Sequence, residues 1–347
     1  MYKLLSIVKN VDYFVLRNEK LLIKDKNGVN YLNGNELDGI SIYGWISDTE
    51  IEFKRGGKYF RKDLLTSTEI ELPKFLMKIG LSENGGYFNT NRKYHADLNY
   101  STSDLNYYDF KSKTINLVLS NSCFMPRIAD KQRTWMIGFC PKTTLKSLSL
   151  LTGEYEWEVD LGKYCQYIQD NELKNGGINQ IIGINKQVLW VVCAEGRQLV
   201  GIDVNTGGVL HTLVFEELSS EITETYFRVF PPCYLSGDTL ICCAYKYYFE
   251  VCLDTLSLRV LHTVPFEWKN YSGISMHTLY SGLIYFTYKQ PAPGDMTHSW
   301  LAVYEPENNR ILWKYELGNV TVNQPPQVSA DKLYVLSAEG TLFVFEK

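Results

Sequence analysis

The sequence predicts an all-β fold, a single β-propeller of four-stranded antiparallel blades, and three observations support this prediction. Aromatic side chains make up 14% of the 347 residues, and such side chains pack well across pleated strands. Short alternating segments bounded by turn residues follow one another along the chain. Similar segments recur about every 35 to 55 residues, a spacing typical of propellers and other repeat folds.

The repeat is clearest at residues 147–162, which spell SLSLLTGEYEWEVDLG. An alternating strand leads into a Thr-Gly turn, where glycine permits a positive φ, and a second strand carries Trp157. Comparable turns begin at Asp203, Asp254 and Glu305, whose carboxylates can accept backbone N–H bonds. We expect the wide apolar ring of Trp157 to wedge between adjacent blades.

Alignment of these units places one turn between the first and second strands of each blade. The aligned positions are Asn10, Asp48, Glu83, Asp130, Asn185, Gly237, Gly282 and Asp331. They predict eight blades within a single domain covering residues 1–347. The segment YKLLSIV near the N-terminus is expected to meet the C-terminal strand and to close the ring. The first predicted blade would then have one strand fewer, and the alternative is a propeller of seven full blades.

Two stretches are predicted to be long loops. Residues 92–108 are rich in Tyr and Asn, and residues 290–300 combine Pro and Gly with Trp. Exposed aromatic side chains add contact area at a small cost in entropy, which favours protein binding. The candidate partner-binding residues in these loops are His95, Asp97, Tyr100, Met296 and Trp300.

A second candidate site lies where the first strands of a propeller line its central channel. Stacking the predicted first strands brings polar side chains together near one end of that channel. These candidate ligand-binding residues are Arg127, Gln180, Arg228, His277 and Gln324. They would form a mildly basic, amide-rich mouth suited to a carboxylate, a sugar or a peptide tail. The alternative is that they only hydrate a channel too narrow for apolar side chains.

Composition and charge argue against several classes of protein. The net charge is -4 without a basic block, so no nucleic-acid partner is expected. Neither a signal peptide nor a membrane-spanning stretch is apparent, which predicts a cytoplasmic protein without a membrane partner. The eight cysteines include no CxxC pair, so we expect reduced, buried thiols and no metal site.

No motif for catalysis is apparent, neither HExxH nor a nucleophile elbow, so a binding protein is expected more than an enzyme. His95 and Asp97 could act as an acid–base pair, although a solvated pair in a loop is the more common outcome. His211 and His262 occupy the same place in two repeats, which predicts a packing role.

The repeat resembles that of quinoprotein-like (PQQ-like) β-propellers, in which an alternating strand, a Thr-Gly turn, a Trp and a Gly follow in order. Thr152 and Gly153, with Trp157 and Gly162, match this pattern. The match is good over residues 120–347 and faint over the first 119. The resemblance implies a propeller and says little about activity.

Some quinoprotein dehydrogenases of this kind place a vicinal cysteine pair against their cofactor. Here Cys242 and Cys243 lie in a predicted strand, where adjacent side chains point to opposite faces. No cluster of acidic calcium ligands accompanies them. The sequence therefore predicts no cofactor.

The leading hypothesis is a non-catalytic propeller that binds a protein or peptide partner through one face and its long loops. An immunity-type neutralising protein is one form of this hypothesis. The alternative is a propeller, an enzyme in some versions, that binds a carbohydrate or small molecule at the axial channel mouth. The sequence makes no prediction about oligomeric state.

Overall fold

The computed structural model divides the chain into two compact units. Unit 1 comprises Met1–Leu72 and Val229–Lys347, and unit 2 comprises Pro73–Arg228. The structure describes residues 2–17, 19–37, 40–45, 49–76, 85–95, 100–130, 134–140, 143–222, 227–266, 273–292 and 296–347. A single domain over the whole chain stays a prediction.

The fold is an all-β, eight-bladed propeller of antiparallel sheets. The described residues form eight sheets of three or four strands and one extra two-stranded hairpin. Helical structure in the described residues is confined to three one-turn 3-10 segments, Gly162–Tyr164, Ala194–Gly196 and Phe215–Glu217. The predicted fold class and the favoured count of eight blades are confirmed.

The N-terminal part of unit 1 contributes nine strands. They are β1 (Lys3–Val8), β2 (Val11–Arg17), β3 (Lys20–Asp25), β4 (Asn30–Leu32), β5 (Asn35–Glu36), β6 (Ser41–Trp45), β7 (Glu50–Arg55), β8 (Lys58–Asp63) and β9 (Glu69–Leu72). Strands β2 to β5 form one sheet and β6 to β9 the next. Gly56 and Gly57 both have positive φ angles, which allow the abrupt turn from β7 to β8.

Unit 2 contains thirteen strands in three sheets and one hairpin. They are β10 (Gly85–His95), β11 (Tyr100–Asp109), β12 (Ile115–Ser122), β13 (Met125–Ala129), β14 (Trp135–Cys140), β15 (Thr144–Ser149), β16 (Tyr155–Asp160), β17 (Gln166–Gln169), β18 (Glu172–Asn175), β19 (Ile178–Asn185), β20 (Val188–Cys193), β21 (Gln198–Asp203) and β22 (Val209–Val214). The sheets are β10 to β12, β13 to β16 and β19 to β22. The hairpin β17–β18 was not predicted, and it accounts for the wide spacing between the repeats at Asp130 and Asn185.

The C-terminal part of unit 1 contains the remaining strands of the described residues. Its strands are β23 (Tyr234–Ser236), β24 (Thr239–Ala244), β25 (Tyr247–Cys252), β26 (Ser257–Thr263), β27 (Met276–Tyr280), β28 (Leu283–Ala292), β29 (Met296–Glu305), β30 (Arg310–Gly318), β31 (Gln327–Val328), β32 (Lys332–Leu336) and β33 (Leu342–Glu346). The last sheet has the order β1-β33-β32-β31, so the N-terminal strand supplies its fourth member. Ile7 lies opposite Phe343 in this antiparallel pair.

The predicted phase of the repeat is wrong at its first position. Asn10 joins β1 to β2, which belong to different sheets, so β2 is a first strand and not a second one. The hydrophobic pattern alone cannot separate these arrangements, because each strand of the region is a short apolar segment that does not indicate its place in a sheet. The later positions Asp130, Asn185, Gly237, Gly282 and Asp331 do fall between first and second strands, and Asp48 and Glu83 lie outside the described residues.

Both stretches predicted to be loops are instead parts of long hairpins. Residues 92–108 belong mainly to β10 and β11, and residues 290–300 to β28 and β29. The Tyr and Thr side chains of the first stretch suit a pleated strand, which outweighs its polar composition. Pro291 lies opposite Thr297 near the end of its hairpin, where a missing N–H donor is tolerated.

Trp157 joins its sheet to the next one, as the sequence predicts. Its indole N–H donates to the Val204 carbonyl at 2.7 Å, and the ring is 7% exposed. Val204 follows β21 and precedes the turn that contains Gly207. A Cβ atom on Gly207, whose φ is +73°, would lie 2.8 Å from the Trp157 ring. The Trp of one blade therefore packs on the Thr-Gly turn of the following blade.

The cysteines divide into one bonded pair and six free thiols. Cys123 precedes β13 and Cys140 ends β14, and the antiparallel pairing of these strands brings the two Cα atoms to 5.4 Å, within disulfide range. Cys123 and Cys140 form a disulfide, so the prediction of reduced thiols is wrong for this pair. The prediction of reduced, buried thiols is confirmed for Cys165, Cys193, Cys233, Cys242, Cys243 and Cys252.

The disulfide predicts the number of alkylation sites in the denatured protein. Without reductant, iodoacetamide should modify the six free cysteines, and with reductant all eight, as measured by intact mass. The Cys123→Ser variant is the matched control, because it frees Cys140 and should give seven adducts without reductant. Eight adducts on the unreduced protein would contradict the disulfide.

Candidate functional site

One cavity of unit 1 lies at the first strands of three sheets. It has a volume of about 450 Å³. Its polar and aromatic lining comprises Arg17, Glu19, Thr278, Tyr280, Gln324, Gln327 and Ser329. Strands β2, β27 and β31 each contribute, and the first strands of propeller blades face the central channel. The predicted axial mouth is also expected at first strands, and that this cavity is that mouth stays a prediction.

Hydrogen bonds between the sheets hold the walls of this cavity. The main-chain N–H of Leu16 on β2 donates to Oε1 of Gln327 on β31 at 2.6 Å. Thr278 on β27 donates its hydroxyl to the carbonyl of Pro326 at 2.5 Å. Because partners from different sheets fix these groups, the cavity is preformed, and a ligand would meet little cost of ordering.

The charges of the cavity come from the turn between β2 and β3. Arg17 ends β2, and Glu19 occupies the turn with a φ of +60°. The Glu19 carboxylate accepts from the main-chain N–H of Ala330 at 3.1 Å, which fixes its position. One cation, one anion, amide groups and a tyrosine make a surface that suits a polar ligand with both kinds of charge.

The described lining offers little for catalysis. It contains one carboxylate and lacks both histidine and cysteine. Ser329 is 3% exposed, and its hydroxyl lies 3.3 Å from both the Asp331 carboxylate and the Lys332 carbonyl, so it is buried in contacts within its own turn. These side chains can bind and orient a ligand.

Of the predicted axial residues, Gln324 lies in this cavity and His277 lies just behind its wall. Thr278 and Tyr280 occupy the face of β27 that lines the cavity, and His277 occupies the opposite face. The imidazole is fully buried, and its Nε2 lies 2.9 Å from the Pro232 carbonyl. On β27, the cavity is therefore lined by Thr278 and Tyr280 and not by the predicted residue His277.

Burial sets the protonation of His277. Removal from water disfavours the charged imidazolium and lowers the pKa of His277 to about 4, although the Pro232 carbonyl favours the charged form. The ring is therefore neutral near pH 7, with its proton on Nε2 and Nδ1 as the acceptor. Among the described residues, Nδ1 has no hydrogen-bond partner.

The remaining predicted axial residues belong to unit 2. Arg127 on β13 is exposed and lies over the Phe139 ring, with Cζ 5.0 Å from the ring centroid. Gln180 is half-buried on β19, and Arg228 is exposed at the end of the unit. That these side chains share one ligand with His277 and Gln324 stays a prediction.

The first set of predicted partner-binding residues surrounds the tip of the β10–β11 hairpin. His95 ends β10, and its Nε2 lies 3.0 Å from the Thr102 hydroxyl. The His95 and Tyr100 rings pack with centroids 5.4 Å apart. Asp97 lies outside the described residues. The two rings thus form an aromatic pair at the end of a hairpin and not within a loop.

The second set lies on the β28–β29 hairpin. Met296 begins β29. Trp300 is half-buried, stacks on Tyr288 with centroids 6.2 Å apart, and lies 5.9 Å from Nζ of Lys314. Trp300 therefore has a packing role within its own sheet, and only part of the ring remains for a partner.

Comparison with known proteins supports the fold and goes no further. No protein-family model and no curated protein matches the chain. The computationally designed Ika8 protein is similar at 12% identity with a TM-score of 0.57, covering 98% of this chain and 96% of Ika8. BamB from Moraxella catarrhalis matches at 11% identity with a TM-score of 0.43 over 100% of both chains. The WD40 beta propeller domain of Doa1 matches at 10% identity with a TM-score of 0.45, over 100% of this chain and 97% of that domain.

Two features are absent from the described residues. No helix there has the length and apolar character needed to cross a membrane. No group of three or more His, Cys, Asp or Glu side chains in the same residues is placed to hold a metal ion. The fold and the cavity together define an eight-bladed propeller with a preformed polar cavity.

Proposed function

We propose that the protein is a non-catalytic propeller that binds a protein partner, which inserts an extended peptide segment into the cavity between β2, β27 and β31. The observation that supports this proposal most directly is the composition of the cavity lining. Arg17 and Glu19 offer opposite charges, and Gln324 offers an amide, so the N–H and C=O groups of a peptide could both find partners there.

The aromatic side chain at the cavity supports a peptide as the ligand. Tyr280 is partly buried and packs against the apolar core of its unit, which holds its ring in place. Rigid tyrosine rings supply contact area at a low cost in conformational entropy. Pro325 and Pro326 stiffen the opposite wall. An immunity-type role, in which the bound partner is neutralised, is a special case of this proposal.

Capture of a partner by matched variants tests the proposal. The immobilised protein should retain a partner from lysate of its own source, identified by mass spectrometry and then measured with the purified partner. Tyr280→Ala and Arg17→Gln should each weaken that binding by about tenfold or more, since truncated anchors at interface centres cost at least 1 to 2 kcal/mol. Arg310→Gln is the control, because Arg310 is exposed and pairs with Glu305 at the surface.

Unchanged thermal unfolding of the Tyr280→Ala variant would show that the loss concerns binding and not folding. Retention of no partner under several salt conditions would contradict the proposal. Equal retention by Tyr280→Ala and the unmodified protein would place the contact elsewhere on the molecule and would also contradict it.

The second candidate is a carbohydrate or another small polar molecule in the same cavity. A tyrosine ring beside amide and charged groups is also suited to a sugar, and a volume of about 450 Å³ lies in the range of small-molecule sites. Saturable binding of an oligosaccharide that is lost in Tyr280→Ala, without any retained protein, would favour this candidate.

We also propose that the chain belongs to the quinoprotein-like propellers and works in the cytoplasm. The packing of Trp157 on the turn at Gly207 supports the first part, because it gives the motif a structural role that depends on no cofactor. The six free, buried thiols support the second part, because cysteines are usually kept reduced in the cytoplasm.

A further inference from the structure

A second cavity, in unit 2, combines basic and hydroxyl side chains at the base of the β10–β11 hairpin. Its volume is about 390 Å³. Its polar lining consists of Lys74, Asn89, Arg92, Ser101, Ser103 and Ser122. No carboxylate belongs to the described lining, so the cavity carries a net positive charge. It plays no part in the function proposed above.

A bulge in β10 brings Arg92 to this cavity. Thr90 pairs with Asp104 and Lys93 pairs with Thr102, so Asn91 and Arg92 together lie opposite the single residue Ser103 and β10 has one extra residue there. Asn91 has a φ of +51°, a left-handed conformation that asparagine tolerates better than most residues. The bulge turns Arg92 to one face of the hairpin, and Lys93 faces the other side with Thr102.

The positions of the serine hydroxyls follow from the alternation of side chains along a strand. Ser101 and Ser103 are two residues apart on β11, so both hydroxyls lie on the face that Arg92 shares. Ser122 on β12 lies directly opposite Ser103. The Ser122 hydroxyl is held 2.9 Å from the Tyr155 hydroxyl and accepts from the main-chain N–H of Phe124. Three hydroxyl groups from neighbouring strands thus line one wall.

The acidic residue next to Ser103 on β11 is Asp104, and it does not line this wall. Asp104 lies on the opposite face of β11 from Ser103, where it accepts hydrogen bonds from Nδ2 of Asn91 and from the main-chain N–H of Asn121. These donors hold the pKa of Asp104 below its usual value. Lys74 donates to the Asn89 carbonyl at 2.7 Å, which fixes the ammonium at the rim. The positive charge of the cavity is therefore not cancelled by Asp104.

We propose that this cavity binds a tetrahedral oxyanion, a phosphate or sulfate group carried by an organic ester. Arg92 and Lys74 supply charge-assisted donors, and the serine hydroxyls supply donors in other directions, which suits several acceptor oxygens better than a planar carboxylate does. Met125 is 45% exposed and lies beside the buried Phe124 in the lining, so the carbon part of an ester meets apolar surface.

Calorimetric titration at fixed ionic strength tests this proposal with four probes, inorganic phosphate, sulfate, phenyl phosphate and acetate. Phenyl phosphate should bind saturably at one site and more tightly than acetate. Arg92→Gln should weaken that binding by about tenfold or more, because a charge-assisted hydrogen bond is worth about 1.5 to 3 kcal/mol. Lys93→Gln is the matched control, since it removes the same charge from the other face of the strand.

The results of the titration distinguish the possible anions, and some of them would contradict the proposal. Tighter binding of phenyl phosphate than of inorganic phosphate supports an ester, and preference between phosphate and sulfate identifies the headgroup. Absence of saturable binding, acetate binding as tight as phenyl phosphate, or equal losses in Arg92→Gln and Lys93→Gln would each overturn the proposal. Ser103→Ala, a smaller change, gives a second test if Arg92→Gln alters the circular dichroism spectrum.

Discussion

Replacement of Trp157 by alanine is expected to lower the free energy of unfolding by about 3 to 5 kcal/mol, the usual cost of truncating a buried aromatic side chain. The ring is 7% exposed and packs in a cluster with Leu161, Val204 and Ile202. The variant also removes the indole donor to the Val204 carbonyl, which leaves a buried acceptor without its partner. Denaturant titration monitored by circular dichroism measures the change.

Two matched variants make the Trp157 prediction specific. Leu151→Ala changes a side chain that is 79% exposed on the same hairpin, and its cost should stay within about 0.5 kcal/mol. Trp157→Phe keeps part of the apolar ring but loses the hydrogen bond. Its loss in the free energy of unfolding should therefore fall between the losses for Leu151→Ala and Trp157→Ala. Similar losses for Trp157→Ala and Leu151→Ala would show that the Trp does not join the sheets.

Acidification is expected to destabilise the protein through His277. The folded-state pKa is about 4 and the ordinary value is 6.5. Between these values the unfolded chain binds a proton that the folded protein does not. Stability from this residue is therefore complete above pH 6.5 and is lost as the pH falls to 4. The loss should reach about 3 kcal/mol, since one pKa unit corresponds to about 1.4 kcal/mol.

Comparison with His277→Gln isolates this effect from the carboxylates, which titrate in both proteins. The glutamine amide can still donate to the Pro232 carbonyl but does not titrate, so stability should change less between pH 6.5 and pH 4. Unfolding free energies measured at several pH values in this range provide the test. Parallel pH profiles for the two proteins would contradict the assignment.

The fold could be predicted from the sequence because its turns and its packing device are local in sequence. The Thr-Gly turn and Trp157 identify the repeat in the sequence. In the structure, the Trp157 ring packs on the corresponding turn of the next blade, at Gly207. The packing role predicted for the two repeated histidines is also confirmed. His211 stacks on Trp190 with centroids 5.6 Å apart, and His262 stacks on Tyr248 at 6.3 Å.

The cavity lining could not be predicted in full from the sequence, because it depends on the placement of two strands, β2 and β27. The repeat phase predicted at Asn10 makes β2 a second strand, so the sequence does not indicate Arg17 and Glu19 as residues that line a channel. The face of β27 was a separate difficulty, since a shift of one residue exchanges His277 for Thr278. Register of this kind is set by contacts with other strands, here by Pro232 and Pro326.

The pairing of β1 with β33 has a consequence for synthesis of the protein on the ribosome. Residues 3–8 are synthesised well before their partner, residues 342–346, which follows more than 330 residues later. At about 5 to 20 residues per second, the apolar segment LLSIV waits for roughly 20 to 70 seconds without its partner. Unit 2 is continuous in sequence and can fold during this interval. The sheet that contains β1 is therefore expected to be among the last to be completed during synthesis.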